Sequence, residues 1–366
     1  MNSMLHENMH DLDTPALLID LDVMERNVAA MAKFFEGVEA NLRPHIKTHK
    51  TPEIAQRQIA AGAKGVTCAK LGEAEVMADA GIRDLLIANQ IVGPRKIGRL
   101  MNLAKRSEVI VAVDDPRNVA ELSEAAQAQG VDLRVILEVE VGMERCGVDP
   151  GEAAVRLAEE VVRAKGLLFK GVMGYEGHTV LIEKWKDRKV AAEQAMKGLV
   201  DTAETIRRAG MPVDIVSAGG TGTYDMTGTY PGVTEVQAGS YVLMDATYRK
   251  VEGLGDVFGC ALTVAATVIS RPKPDRIVVD VGLKTATRDF GLPEVKDIEG
   301  VKVLYLSEEH GKIEVSDERV DLKPGDRIEL IPNHCCTTVN LHDRFYGIRR
   351  GNVEEVWEIA ARGRSQ

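Results

Sequence analysis

Between residue 40 and about residue 245 short apolar runs alternate with helix-length amphipathic spacers, and no other feature restricts the fold of this chain as strongly. The runs fall at 41–47, 65–70, 84–90, 108–114, 133–141, 169–176, 213–219 and 234–243. Eight strands, each with a helix-length segment behind it, predict an α/β fold of the (β/α)8 TIM-barrel type, which needs about 200–250 residues. The spacers agree: 51–61 and 71–80 carry helical periodicity, and the second ends at Gly81, a residue suited to a helix terminus. The stretch 183–209 is long and charged, as a solvated helix would be. An open doubly wound sheet is the alternative that the same alternation allows.

Past residue 250 the pattern changes to strand, turn, strand, with runs at 261–270, 276–281, 302–307, 312–315, 327–331, 345–349 and 353–359. These predict a second, all-β domain, and a strand at 16–21 is expected to pair with it. The expected division is a 1–25 N-terminal segment joined to the β domain, a barrel over 26–250, and a β domain over 251–366.

The 46 basic against 56 acidic residues leave a formal charge of −10, the wrong sign for a nucleic-acid binder. The start of the chain, MNSMLHENMHDLD, has neither the basic nor the apolar region of a signal peptide. No segment approaches the roughly 18 apolar residues of a membrane span. Five scattered cysteines, Cys68, Cys146, Cys260, Cys335 and Cys336, read as reduced thiols, so a cytoplasmic protein is expected.

Active sites of such barrels lie at the C-terminal ends of the strands. There the first strand offers His45 and Lys47, two apart and so on one face of an extended strand, with Lys50 beyond. A lysine aimed into a barrel mouth can lose its proton by desolvation and act as a nucleophile, although a solvated surface lysine is the commoner case. The fifth strand places Glu138 and Glu140 on one face, with Arg145 just past it; buried carboxylates there are either functional or held in an internal salt bridge. Tyr175 and His178 follow the sixth strand as rim residues or ligand contacts. The seventh ends in Ser217-Ala218-Gly219-Gly220-Thr221-Gly222-Thr223, where backbone N–H groups can cradle a phosphate; the glycines equally suit a tight turn. Ser240 and Tyr241 stand after the eighth strand. In the β domain His334 and Cys336 would project to one side of an extended strand, a spacing that suits a shared metal and, with a thiolate, zinc over magnesium. A buried neutral histidine beside two apolar cysteines is the bland reading. Glu309-His310 and Asp280 are further polar positions in the strand-rich region.

Together these motifs resemble the family of D-threonine aldolases, D-serine dehydratases and D-3-hydroxyaspartate lyases, enzymes of the alanine-racemase fold type that use pyridoxal 5'-phosphate. The resemblance runs over nearly the whole chain, through Asp13-Thr14-Pro15, Arg43-Pro44-His45-Ile46-Lys47, Arg145-Cys146-Gly147, Gly219-Gly220-Thr221-Gly222, Gln237-Ala238-Gly239-Ser240-Tyr241, Glu309-His310-Gly311 and His334-Cys335-Cys336. It implies that Lys47 carries the cofactor, that Arg145 faces its ring nitrogen, and that Tyr175 sits near it. It also implies that Gly220, Thr221, Gly222, Ser240 and Tyr241 hold the phosphate. His334 and Cys336 would bind a divalent metal, zinc favoured with manganese or magnesium as alternatives, that activates the β-hydroxyl of an amino-acid substrate. Lys47, His45 and His178 are the expected catalytic groups.

The reaction this implies is retro-aldol cleavage of a β-hydroxy-D-amino acid to glycine and an aldehyde. Two departures keep a dehydratase, giving a 2-oxo acid and ammonia, as the rival. Cys336 stands where the aldolases typically have aspartate, and Leu181 stands where they carry a histidine, with His178 earlier. An amino-acid racemase gives the metal motif no role. A non-catalytic cofactor-holding barrel would lack the last hundred or so residues. A homodimer is expected from the resemblance alone.

Overall fold

The computed structural model describes residues 5–366; the first four residues of the expected N-terminal segment lie outside them. Two compact units emerge. The barrel unit holds Met31–Lys47, Pro52–Gly239 and Gly363–Gln366. The β unit holds Ser240–Arg362, Thr48–Thr51 and the described chain through Ala30.

In the barrel unit eight parallel strands follow one another around the sheet: β2 (Asn41–Leu42), β3 (Val66–Cys68), β4 (Asp84–Gln90), β5 (Glu108–Val113), β6 (Leu133–Glu138), β7 (Leu167–Met173), β8 (Ile215–Ala218) and β9 (Glu235–Val236). Each pairs with its sequence neighbour, and β9 returns to β2. A parallel bridge between His45 and Thr67 closes the ring. An open doubly wound sheet is therefore ruled out, since it would reverse strand order partway. The interior is filled by Leu86, Ile110, Ala112, Ile136, Met173 and Ile215, contributed by five successive strands. Each large aliphatic side chain so buried stabilises the fold by about 1.5–3 kcal/mol.

Helices cover the strands because their ends are specified locally. In α5 (Pro116–Gln129) the Asp115 carboxylate accepts the N–H groups of Arg117 and Asn118, Pro116 pre-sets the first turn, and Gly130 closes the end at φ 63°. The charged stretch 183–209 forms α7 (Trp185–Arg208). At the N-terminal end of the barrel the buried Arg43 ties three strands, its guanidinium 2.7 Å from Glu235 and 2.6 Å from Asp84. Burial opposes its charge, but those two carboxylates hold its pKa above the ordinary value.

The β unit is a nine-stranded, mainly antiparallel sheet. Here β1 (Ala16–Asp20) pairs antiparallel with β10 (Leu262–Lys273) and parallel with β16 (Arg344–Arg349). Thr14 Oγ1 donates to the Asp280 carboxylate at 2.6 Å, which gives that aspartate a structural partner. Against expectation, a short helix interrupts the strands: α9 (Cys335–Val339) carries the paired cysteines. It begins where the buried Asp245 accepts the Cys335 N–H at 3.0 Å, a carboxylate at a helix start. Among the described residues no helix is long and apolar enough to cross a membrane.

Candidate active site

Lys47 does not sit on a strand. The backbone stays extended through His45, whose N–H donates to Ala238, and then turns into a 3-10 segment, Ile46–Thr48. Pro44, with no N–H to offer, weakens the ladder just before the turn. Strand alternation therefore does not set Lys47's direction; the turn does. His45 stabilises that turn, since its Nδ1 accepts the Lys47 N–H at 3.4 Å.

The Tyr175 ring is where the predicted groups of the barrel unit meet. Lys47 Nζ lies 5.4 Å from its centroid and Arg145 Cζ 5.6 Å. Tyr175 is itself beyond β7, which stops at Met173 rather than running to 176. His178 is exposed on the following turn and packs against Gly142, where a Cβ would come within 2.7 Å of the imidazole.

The two glutamates of the fifth expected strand part company. Glu138, the last residue of β6, is buried, accepts from Gln90 at 2.6 Å and lies 3.7 Å from Arg145. Burial raises its pKa despite both partners. Glu140 does not face the barrel interior: it accepts the N–H groups of Gly142 and Arg145 and so closes the 140–145 loop. Asp114, Glu138 and Cys146 place three potential ligand atoms within 4.8 Å of one another. Burial and the two carboxylates push the Cys146 thiol's pKa up.

The glycine-rich turn has an organiser that the motif reading missed. Glu176, fully buried, accepts Gly219 N–H at 3.0 Å, Thr223 Oγ1 at 2.7 Å and Thr227 Oγ1 at 2.6 Å. Three donors on one carboxylate lock the turn that follows β8. Gly219 adopts φ 82°, and a Cβ on Gly222 would fall 1.9 Å from the Val180 carbonyl, so these glycines are required by backbone geometry. Thr221 is buried beside them. The only sequence clue to Glu176 was its place one residue after Tyr175.

In the β unit Ser240 and Tyr241 lie on a 3-10 turn, Ser240–Val242, not on a strand. The Tyr241 ring is fully buried with its centroid 5.8 Å from that of Phe258. His334 has extended backbone (φ −142°, ψ 113°) just before α9, so its ring and Cys336 come together through a strand-to-helix corner. Cys336 Sγ is 3.3 Å from Thr48 Oγ1 and 3.8 Å from Ser240 Oγ. Its pKa is held well below the usual thiol range by the hydrogen bond from Cys335, with His334 and Thr48 adding to it against burial. Cys335, fully buried against Cys336, moves the opposite way. Burial disfavours the His334 cation, but the Cys336 thiolate and Asp289 outweigh it and bring the ring to about 9. An imidazole and a thiolate at one corner form a donor set that fits zinc. In the barrel unit an amine and a guanidinium on one aromatic ring, with a glycine turn after β8, fit a phosphorylated aldehyde cofactor.

The fold and these groups define an enzyme of the alanine-racemase type. Residues 19–247 match the family described as alanine racemase, N-terminal domain, and residues 261–348 match a putative serine dehydratase domain. The chain belongs to this family, whose fold and aldolase members imply pyridoxal phosphate. It is 37% identical over 356 residues to a D-threonine aldolase of an Arthrobacter species, covering 97% of this chain and 94% of that one. It is 38% identical over 362 residues to the 3-hydroxy-D-aspartate aldolase of Paracoccus denitrificans, covering 97% and 93%. The crystal structure of D-threonine aldolase from Filomicrobium marinum superposes with a TM-score of 0.95 at 41% identity, covering 99% of both chains.

Proposed function

We propose that this chain is a carbon–carbon lyase that cleaves β-hydroxy-D-amino acids to glycine and an aldehyde. The observation that carries the reading is the meeting of Lys47 and Arg145 on the Tyr175 ring, in a chain whose full-length relatives are named as aldolases. Pyridoxal phosphate, when bound, supplies the electron sink for carbanion chemistry at the amino acid's α-carbon. Lys47 would hold its aldehyde carbon, Arg145 would face the ring nitrogen and keep it from protonating, and the 219–223 turn would hold the phosphate. Glu176 keeps that turn in shape, and His45 holds the backbone N–H of Lys47. His178, exposed beside Gly142, is the group we assign to proton exchange with the substrate. His334 and Cys336 would hold a divalent metal, zinc ahead of manganese or magnesium, which lowers the pKa of a coordinated hydroxyl. The setting this reading implies is a cytoplasmic homodimer, consistent with five unbridged cysteines.

A dehydratase is the second reading, favoured by one observation: a thiolate, Cys336, at the second metal position, within a segment that matches a putative serine dehydratase domain. Incubating the cofactor- and zinc-loaded protein with D-threonine separates the two. Glycine and acetaldehyde are expected; 2-oxobutyrate and ammonia would overturn the cleavage reading. His334→Ala should abolish tight zinc binding, read by competition with a chromophoric chelator.

A further inference from the structure

His334 is held from two sides by residues that no motif singled out. Its Nδ1 is 2.6 Å from the Asp289 carboxylate, whose oxygens also accept Thr337 Oγ1 at 3.0 and 3.1 Å. The next residue, Phe290, lies flat on the imidazole, with ring centroids 4.3 Å apart and planes 12° apart, while remaining half exposed. Asp289 thus fixes the ring's direction and Phe290 fixes its plane. A histidine whose Nδ1–H is committed to a carboxylate can offer only Nε2 to a metal, and that pairing makes the ring a stronger ligand.

We propose that Asp289, with Phe290 stacked on the ring, is the positioning residue of the metal corner, fixing His334 as an Nε2 ligand. The proposal rests on the reading of His334 and Cys336 as metal ligands and goes beyond it, because neither Asp289 nor Phe290 belongs to any of the motifs. Neither residue touches substrate in this scheme. Their effect passes through the imidazole alone, so it should appear in zinc affinity before any turnover is measured.

The test measures zinc dissociation constants by chelator competition, together with the thermal midpoint of the zinc-free protein. Asp289→Ala should weaken zinc binding about 10–100-fold, while the zinc-free midpoint stays near that of the parent. Asp289→Asn keeps an oxygen that accepts the Nδ1–H, so it should recover much of the loss. Phe290→Ala should weaken binding less than Asp289→Ala does. An Asp289→Ala affinity within twofold of the parent would overturn the proposal. So would loss of zinc affinity matched by a drop in the zinc-free midpoint with no recovery in Asp289→Asn, the signature of a merely structural residue. If Asp289→Ala does not fold, Phe290→Ala decides: a zinc affinity within twofold of the parent sinks the idea. His334→Ala serves as the control that separates the two failures: unchanged zinc affinity there would defeat the metal-ligand reading and this inference with it, whereas lost affinity there with an unchanged Asp289→Ala defeats this inference alone.

Discussion

The barrel unit and the β unit build their reactive corners in opposite ways. Around Tyr175 the groups come from distant parts of the sequence, Lys47, Arg145 and Tyr175 itself, each delivered by the end of a different barrel strand. In the β unit the reactive pair is contiguous, His334 and Cys336, and it is the support that comes from afar: Asp289, Asp245 and Thr48. The barrel relies on a repeated architecture to aim single residues, so ordinal position in the strand pattern already identifies them. The β unit relies on a local turn, whose shape depends on carboxylates that no local pattern announces. Where the architecture repeats, sequence reveals the reactive groups; where it does not, sequence reveals the histidine and cysteine but hides what orients them.

The largest effect expected from breaking this contrast lies in the barrel. Lys47→Ala should remove the visible absorbance of the bound cofactor and lower turnover by at least about a thousandfold, as loss of a covalent catalytic group does; survival of that absorbance would show that another residue carries the cofactor. Arg43→Leu should destabilise the protein by about 3–5 kcal/mol in urea unfolding, because it strands the buried Glu235 without its cation. Glu176→Gln should cost about 1.5–3 kcal/mol, since an amide offers one acceptor where the carboxylate satisfied three donors. Cofactor affinity should fall in the same variant, which distinguishes a turn organiser from a general core residue.

The smallest effect concerns pH. Tyr224, first residue of α8 (Tyr224–Gly228) directly after the glycine turn, has its phenol pushed up to about 12 by burial. Below pH 10 the phenol is neutral in both folded and unfolded chains, and its burial contributes fully. Between about 10 and 12 the unfolded chain ionises first, so that contribution is lost as pH rises through this window. Tyr224→Phe should flatten the alkaline limb of the stability curve over that interval and leave the neutral region alone. An unchanged alkaline limb would place the pH sensitivity elsewhere.

Much of the fold was legible because hydrophobic periodicity is a local consequence of burial: the eight runs, the long charged helix α7 and the change to strands near residue 260 all stand in the sequence. Element ends were less legible. The run 169–176 overshoots β7 because Gly174 and Tyr175 continue the apolar pattern after the ladder has stopped. The run 234–243 contains only a two-residue strand before the 3-10 turn at Ser240. Lys47 was expected at the end of a strand, and the 3-10 turn Ile46–Thr48 that orients it instead was not foreseen.

What the sequence determined by itself is the set of chemical groups and their order: a lysine after the first barrel strand, an arginine after the fifth, a glycine turn after the seventh, and a histidine and cysteine two apart near the end. Those facts follow from covalent order and from the two periodicities of burial. Only the tertiary structure decided conformation at the reactive corners. Cys335-Cys336-Thr337-Thr338-Val339 is rich in β-branched residues and reads as strand, yet it forms a helix whose first N–H is taken by Asp245, ninety residues earlier. A buried carboxylate at a helix start is worth as much as the several tenths of a kcal/mol of local preference, and no one-dimensional pattern records which distant carboxylate that will be.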